Sequence, residues 1–165
     1  IARPVRVTEG DSAFVLATTP QLVKHLLDKL EAFGAKWFSE KFEDLPNVEE
    51  NEILCSKAYT EIEGEKAQQA SCPVLNELIG ENWALMSTEM LRSIDLPVQA
   101  HNVLENGISK NLWYEQNVPH QSIFYLLISR PDENSKLDAI LGSNPVVQLG
   151  AGATTGYGYM KIEKK

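Results

Sequence analysis

The dipeptide Asn106-Gly107 constrains the fold of this chain more than any other short segment. Asn-Gly is the strongest short-range signal for a two-residue β-hairpin turn, because both residues tolerate the positive φ angles that a type I′ turn requires. Residues 96–104 precede the turn and residues 111–115 follow it, and both stretches contain strand-forming side chains. The sequence therefore predicts an antiparallel hairpin over about residues 95–115.

The rest of the chain alternates between short strand-like and helix-like segments. Strand patterns occupy residues 3–8, 13–18, 53–55, 59–63, 83–86, 122–128, 146–149 and 159–162. Helix patterns begin after a Thr19 cap with Pro20 at the first position, and recur at about 35–42, 72–79, 88–92 and 136–141. Helices inserted between strands that mostly pair locally favour an α+β fold over a doubly wound sheet.

Charge is unevenly distributed in this chain of 165 residues, whose net charge is −8. Residues 31–66 contain ten acidic and four basic side chains, so this segment accounts for most of the imbalance. The overall charge argues against a uniformly basic nucleic-acid binder, but a basic groove elsewhere in the chain stays possible. Glu43-Asp44 and Glu49-Glu50 in the same segment are either weak candidates for metal ligands or a solvated acidic face.

Few other residues suggest a catalytic or metal centre. Cys55 and Cys72 have no zinc-type spacing with any histidine, and without a secretory signal they predict reduced thiols in a cytoplasmic protein. Asp95 and Glu115 are conceivable acid or base groups, although isolated carboxylates usually face solvent. His101, with Asn102 and Lys110, is a candidate contact to a phosphate backbone or a base.

A glycine-rich segment near the end of the chain is the most informative motif. Gly150, Gly152, Gly156 and Gly158 precede a strand pattern, so the segment is neither a dinucleotide-binding fingerprint nor a P-loop. Glycine permits positive φ and a close approach of backbone amides to an anion. Either a tight structural turn or a loop that contacts the backbone of a ligand fits this pattern.

Three blocks in this order resemble the RAMP superfamily of CRISPR-associated proteins, and most closely the repeated backbone subunit of type III-B Cmr effector complexes. The blocks are Pro4-Val5-Arg6 with Phe14–Pro20, Leu96–Gly107 with Leu112–Glu115, and Gln148–Gly158. One departure is Gln116, where the family commonly has a second glutamate. The resemblance implies a modified ferredoxin-like (RRM-like) core with inserted helices and a thumb hairpin.

The resemblance also implies how the chain is organised. It predicts one RAMP domain fragment over residues 1–165, with an acidic insertion at about 35–66, a thumb at about 95–115 and a glycine-rich loop at 150–158. Family members carry a further N-terminal portion with the first strand and the catalytic aspartate. This sequence is therefore expected to be the C-terminal part of a longer subunit, and its own catalytic residues stay unknown.

Function follows from the resemblance as an expectation. Such subunits stack head to tail along a guide crRNA beside other Cmr subunits, and the intact subunit cleaves target RNA with a divalent metal such as Mg²⁺. The implied RNA contacts are Gly150, Gly152, Thr154, Thr155 and Gly156 on the guide backbone, and His101, Asn102 and Lys110 in the thumb. A non-cleaving scaffold subunit of another type III complex and a protein-interaction domain without a nucleic-acid role stay open.

Overall fold

The computed structural model describes residues 1–8, 13–34, 45–128, 139, 142 and 146–163. The chain divides into two compact units, which we call the sheet unit (residues 1–126) and the C-terminal unit (residues 127–165). The helices predicted at about 35–42 and 136–141 lie outside the described residues, apart from position 139. Glu43 and Asp44 also lie outside them.

The sheet unit is built on one six-stranded sheet. Its strands are β1 (Arg3–Arg6), β2 (Phe14–Thr18), β3 (Ile53–Cys55), β4 (Glu61–Ile62), β5 (Glu65–Gln69) and β6 (Trp83–Met86). Their order across the sheet is β1-β2-β6-β3-β5-β4. The β2–β6 and β3–β5 pairs are parallel, and the other neighbouring pairs are antiparallel. A mixed sheet with inserted helices confirms the predicted α+β class.

The two edge strands of this sheet meet at one end. Val7, just beyond β1, forms an antiparallel bridge with Ile62 of β4. The amide of Thr8 donates to the carbonyl of Glu61 at 3.1 Å, and the amide of Glu63 donates to that of Arg6 at 2.9 Å. The sheet therefore curls, and these contacts pair backbone groups that would otherwise be exposed at two edges.

The core lies inside this curl and beneath the helices. One buried cluster contains inward-facing residues from or next to five strands and one residue of the short helix that follows β6. Its members are Val5, Val7, Val15, Ala17, Ile53, Cys55, Ile62, Ala84, Met86 and Leu91. All four residues of β6 are buried, which is typical of a central strand covered on both faces. Cys55 and Cys72 are buried free cysteines.

Three helices begin at the capping signals that the sequence provides. In α1 (Pro20–Ala32), the Thr19 hydroxyl accepts from the amide of Leu22 at 3.2 Å, and Pro20 occupies the first turn. The helix α2 (Pro73–Ile79) also begins with proline. In α3 (Thr88–Ser93), the Ser87 hydroxyl accepts from the amide of Met90 at 3.1 Å. These helices confirm the predictions made from caps and leucine spacing.

The structure differs from the sequence prediction in one missed strand and one wrongly predicted strand. The strand β5 was not predicted, because Glu-Lys-Ala-Gln-Gln lacks β-branched and aromatic residues; it forms because β3 and β4 supply backbone partners on both sides. The strand predicted at 122–128 is wrong: in the described chain only Ile123 pairs, with Ala2. An apolar run becomes a strand only where a neighbouring strand pairs with it.

The segment after Ile123 is held by a tyrosine. The Tyr125 hydroxyl donates to the carbonyl of Leu78 at the end of α2. Burial raises the pKa of Tyr125 from 10.0 to about 12, and the negative charge of Glu77 adds to the shift. The folded state thus favours the neutral phenol.

Tyr125 is therefore expected to contribute a pH dependence to stability. Because its folded pKa lies above the unfolded value of 10.0, its contribution should be complete below pH 10 and be lost between pH 10 and 12. Ultraviolet titration of the chain and of Tyr125→Phe tests this directly. The difference curve should show one phenol that ionises near pH 12, and a midpoint near pH 10 would contradict the expectation.

The C-terminal unit contains a second, smaller sheet. Strands β9 (Val146–Gln148) and β10 (Tyr159–Lys161) pair antiparallel, with Gln148 opposite Tyr159. A single 3₁₀ turn at Ala153–Thr155 lies between them. The glycine-rich segment is therefore the connection between two antiparallel strands.

No helix in the described parts of the chain is both long enough and apolar enough to cross a membrane.

Candidate nucleic-acid interface

The predicted hairpin is present and stands apart from the six-stranded sheet. Strands β7 (Val98–Glu105) and β8 (Ile108–Gln116) form a two-stranded antiparallel sheet of their own. The turn has the positive φ angles expected of Asn-Gly, 53° at Asn106 and 79° at Gly107. Every residue of β8 is exposed. At about 3.4 Å per residue, the ribbon is about 30 Å long.

A β-bulge sets which side chains face each other across the ribbon. The register shifts between Val103 and Leu104, so that Lys110 is the extra residue on β8. Beyond the bulge, His101 pairs with Trp113 and Asn102 pairs with Leu112. Successive pairs point to opposite faces of a strand pair.

The ribbon therefore has two faces of different chemistry. We call one the tryptophan face: Gln99, His101, Val103, Asn111, Trp113 and Glu115. We call the other the tyrosine face: Val98, Ala100, Asn102, Leu112, Tyr114 and Gln116. Val98, Leu112 and Tyr114 are exposed on the tyrosine face, and the tryptophan face carries a histidine and a carboxylate.

Three side chains on the tryptophan face form a connected group. The rings of His101 and Trp113 stack with centroids 5.3 Å apart and an interplanar angle of 12°. The indole Nε1–H of Trp113 donates to Oε1 of Glu115 at 3.1 Å. Nε2 of His101 lies 3.3 Å from Oε2 of Glu115, is shielded from solvent, and has no hydrogen-bond partner within the described residues. The carboxylate is thus held beside both rings.

The three thumb residues predicted from sequence do not lie together. His101 is half-buried in the stack on the tryptophan face. Asn102 is on the tyrosine face, where its Oδ1 accepts from the Ser109 hydroxyl at 2.7 Å. Lys110 occupies the bulge and lies 3.4 Å from a carboxylate oxygen of Glu105. Their contact with RNA stays a prediction.

The tip of the hairpin exposes two aliphatic side chains. Leu104 and Ile108 flank the turn and are 63% and 66% exposed. Exposed aliphatic side chains at the end of a narrow ribbon are the kind of wedge that separates stacked bases. The tip can therefore enter a space between bases that a broader element could not.

The glycine-rich segment has a strongly constrained backbone. Gly150, Gly152, Gly156 and Gly158 have φ angles of 90°, 76°, 88° and 75°. A Cβ at Gly158 would lie 2.1 Å from the carbonyl oxygen of Leu149, whereas one at Gly150 or Gly156 would meet nothing within 4 Å. Position 158 thus requires glycine because the backbone of Leu149 lies too close for a Cβ. At Gly150 and Gly156 the space beside the backbone is open.

Within this segment, some donors are used by the turn itself. The Thr155 hydroxyl donates to the carbonyl of Gly152 at 2.9 Å, and the amide of Tyr157 donates to the same oxygen at 3.0 Å. Among the described residues, the amides of Ala153 and Thr154 donate to no backbone acceptor. Both residues are exposed, so these amides can donate to an external acceptor.

Comparison with known proteins gives a consistent picture. No model of a known protein family matches the chain. The CRISPR system Cmr endoribonuclease Cmr4 of Pyrococcus furiosus is 25% identical over an alignment of 198 positions, which covers 98% of this chain. The chain is therefore similar to this Cmr4 over nearly its whole length. It spans 65% of the length of this curated relative. The resemblance to a Cmr backbone subunit is thereby confirmed.

Two solved structures share the fold of this chain. A chain in the cryo-EM structure of the type III-B Cmr-beta bound to cognate target RNA matches with a TM-score of 0.69 and 21% identity, covering 98% of this chain and 66% of that one. The crystal structure of oligomeric Cmr4 from Pyrococcus furiosus matches with a TM-score of 0.56 and 16% identity, covering 98% and 67%.

Sequence reasoning identified the hairpin of this chain but missed its aromatic group. Residues Leu112–Glu115 were used only as a motif that carries the family resemblance, and the sequence analysis assigned no role to Trp113. Counting pairs outward from a two-residue turn would place His101 opposite Leu112. The bulge moves the partner by one residue to Trp113, and a bulge leaves no clear signal in one sequence.

Metal binding needs several ligand side chains close together among the residues that the structure describes. Among them, no group of three or more histidine, cysteine, aspartate or glutamate side chains could hold a metal ion. The described residues therefore provide no metal centre of their own.

Proposed function

We propose that this chain belongs to a crRNA-binding backbone subunit of a type III-B RNA-targeting complex. The observation that carries the proposal is the exposed hairpin with two aliphatic side chains at its tip, on a fold shared with a chain of a Cmr complex bound to target RNA. An isolated two-stranded ribbon has little stability of its own, so such an element is best explained by a partner that encloses it.

In this proposal the hairpin is the thumb. Leu104 and Ile108 enter between guide and target strands, and the long ribbon keeps one nucleotide out of the duplex. Displacing a base costs a few kcal/mol of stacking, which contacts between ribbon and RNA offset. The proposed polar contacts of the thumb with RNA are His101 on the tryptophan face, Asn102 on the tyrosine face and Lys110 at the bulge.

The glycine-rich segment contacts the guide backbone in the same proposal. The exposed amides of Ala153 and Thr154 donate to phosphate oxygens, and Gly150, Gly152 and Gly156 let the RNA backbone approach this segment closely. The Thr154 hydroxyl is exposed and can donate directly, while that of Thr155 holds the turn. Thr155 therefore acts mainly by shaping the segment.

The intact subunit is the larger part of the proposal. A further N-terminal portion completes a modified ferredoxin-like RAMP core and supplies the catalytic aspartate for cleavage of target RNA with a divalent metal, Mg²⁺ above all. Copies of the subunit stack head to tail beside other Cmr subunits in the cytoplasm. The relative that supports cleavage is itself described as an endoribonuclease.

One observation favours a different class of function. The net charge of −8 is unusual for a protein that binds a polyanion and suits a protein-interaction domain. A scaffold subunit of another type III complex that binds guide RNA without cleaving is the other alternative. The salt dependence of RNA binding separates the protein-interaction domain from the proposed function. Metal-dependent cleavage separates the scaffold subunit from it.

The test uses the full-length protein that contains this sequence, with a guide crRNA and a matching target RNA. RNA affinity should fall steeply with salt, because phosphate contacts release counterions. Target cleavage should require a divalent metal and stop when the metal is chelated. Binding without cleavage at any metal concentration supports the scaffold alternative. The absence of RNA binding by the folded protein overturns the proposal.

A further inference from the structure

The direction of the hairpin is set at its base, where the ribbon leaves the sheet unit. With a length of about 30 Å, the ribbon moves its tip by about 5 Å for a tilt of roughly 10° at the base. That shift exceeds the distance of about 3.4 Å between successive nucleotides of one strand in a B-form duplex. A hairpin that places its tip at one nucleotide therefore needs a base that holds its direction.

Arg3 in β1 binds the segment that enters the hairpin. Its Nη2 donates to the carbonyl of Ile94 at 2.8 Å and also to the carbonyl of Leu91. Both carbonyls lie at the end of α3, where the last C=O groups of a helix have no partner within the helix. A guanidinium suits this position, because its nitrogens carry several N–H groups and its charge is favourable beside a helix C-terminus. Ile94 also packs against the buried cluster, but apolar packing is non-directional, so the hydrogen bond fixes its orientation.

The connection from this contact to the ribbon is short and stiff. Only residues 95–97 separate Ile94 from the first residue of β7. Pro97 has a fixed φ, and it restricts the backbone of the residue before it. The carbonyl of Pro97 accepts from the amide of Asn117 at 2.9 Å, which closes the base of the ribbon. The orientation of Ile94 is therefore passed on to β7.

The segment that leaves the hairpin is held by the residue next to Arg3. Ala2 and Ile123 exchange two backbone hydrogen bonds, at 3.1 and 2.8 Å. Two adjacent residues thus hold both ends of the hairpin, Ala2 through its backbone and Arg3 through its side chain. The Arg3 contact can be removed by substitution, whereas the backbone pair does not depend on a side chain.

We propose that Arg3 is a positioning residue that fixes the direction of the thumb hairpin relative to the six-stranded sheet. The inference rests on the proposed function, since it names the contact that directs the tip to one nucleotide between guide and target. Arg3 touches no RNA in this role. It acts through Ile94 and the stiff connection, so its loss should widen the range of tip positions while the hairpin itself persists.

The first test measures the position of the tip in the full-length protein. Nitroxide labels at Glu105→Cys beside the turn and at Lys24→Cys in α1, both exposed positions, report one distance within the sheet unit. Arg3→Ala should broaden the distribution of this distance. Arg6→Ala removes the same charge from the same strand, but the hydrogen bonds that the structure shows for Arg6 use its backbone, so the distribution should stay narrow. Equal widths in the two variants overturn the inference.

The second test has a readout that a loss of stability alone would not shift. A set of target RNAs carries 2-aminopurine at one position each, and its fluorescence is strongest where a base is unstacked. With guide and parent protein, one position should be bright where the thumb enters. Arg3→Ala should lose most of this contrast and spread the signal over neighbouring positions. Arg3→Lys keeps the charge and N–H donors, so it should recover part of the contrast.

The outcomes separate this inference from the proposed function. A bright position that is the same in the parent protein and in Arg3→Ala overturns the role of Arg3 and leaves the thumb intact. A folded parent protein that binds guide and target but displaces no base overturns the thumb assignment, and the inference with it.

Discussion

Trp83→Ala is expected to lower the free energy of unfolding of the sheet unit by about 3–5 kcal/mol, the range found for large-to-small changes at buried aromatic residues. Trp83 is fully buried in β6, which lies between β2 and β3. Its indole N–H donates to Oδ1 of Asn76 in α2 at 2.7 Å. Truncation therefore leaves a cavity in the middle of the sheet and an amide oxygen without its donor. Urea unfolding of the full-length protein, followed by circular dichroism, measures the loss.

A matched control is available at Trp113, which is exposed on the hairpin rather than buried in the sheet. Trp113→Ala should change the free energy of unfolding by less than about 1 kcal/mol, because solvent fills the space that the side chain leaves. Similar losses in the two variants would contradict the structural distinction between the core and the hairpin. If Trp83→Ala lowers the free energy of unfolding by much less than expected, the sheet repacks around the gap.

Local signals in the sequence predicted the local structure well. Thr19 with Pro20, and Ser87 ahead of a short helix, mark helix starts by chemistry confined to a few neighbouring residues. Asn106-Gly107 likewise fixes its turn without help from the rest of the chain. Such features depend on hydrogen bonds between residues close in sequence, so one sequence is enough to find them.

Features that depend on distant partners could not be predicted in this way. The strand β5 has a polar sequence and forms only because β3 and β4 lie on either side of it. The bridge between Val7 and Ile62 joins positions far apart in sequence, and no local pattern at either residue indicates it. The converse holds at Phe124 and Leu126, which have strand-like composition but pair with no strand among the described residues.

The candidate site shows the same division. The hairpin and the glycine-rich segment were visible in the sequence, since both consist of contiguous turn-forming residues. The group of His101, Trp113 and Glu115 was not, because its members face each other only after the bulge at Lys110 shifts the register. The unequal roles of the glycines were also hidden, since close backbone approach is a property of the folded connection.

Gly158→Ala is expected to destabilise the connection between β9 and β10 by about 3 kcal/mol or more. A methyl group there would lie 2.1 Å from the carbonyl oxygen of Leu149, and the φ of 75° adds strain for any L residue. The backbone cannot move apart freely, because the amide of Leu149 donates to the carbonyl of Gly158 at 2.9 Å. Hydrogen exchange of the full-length protein should show faster exchange at the amide of Leu149.

Gly156 supplies the control for this prediction and connects it to RNA binding. Its φ is 88°, but a Cβ there would meet nothing within 4 Å. Gly156→Asn should therefore cost about 1 kcal/mol or less, because asparagine tolerates the left-handed region. If this segment contacts the guide, the added side chain should weaken guide binding while the amide of Leu149 stays protected. Equal exchange in both variants would contradict the close approach at Gly158, and unchanged guide affinity in Gly156→Asn would remove Gly156 from the proposed guide contact.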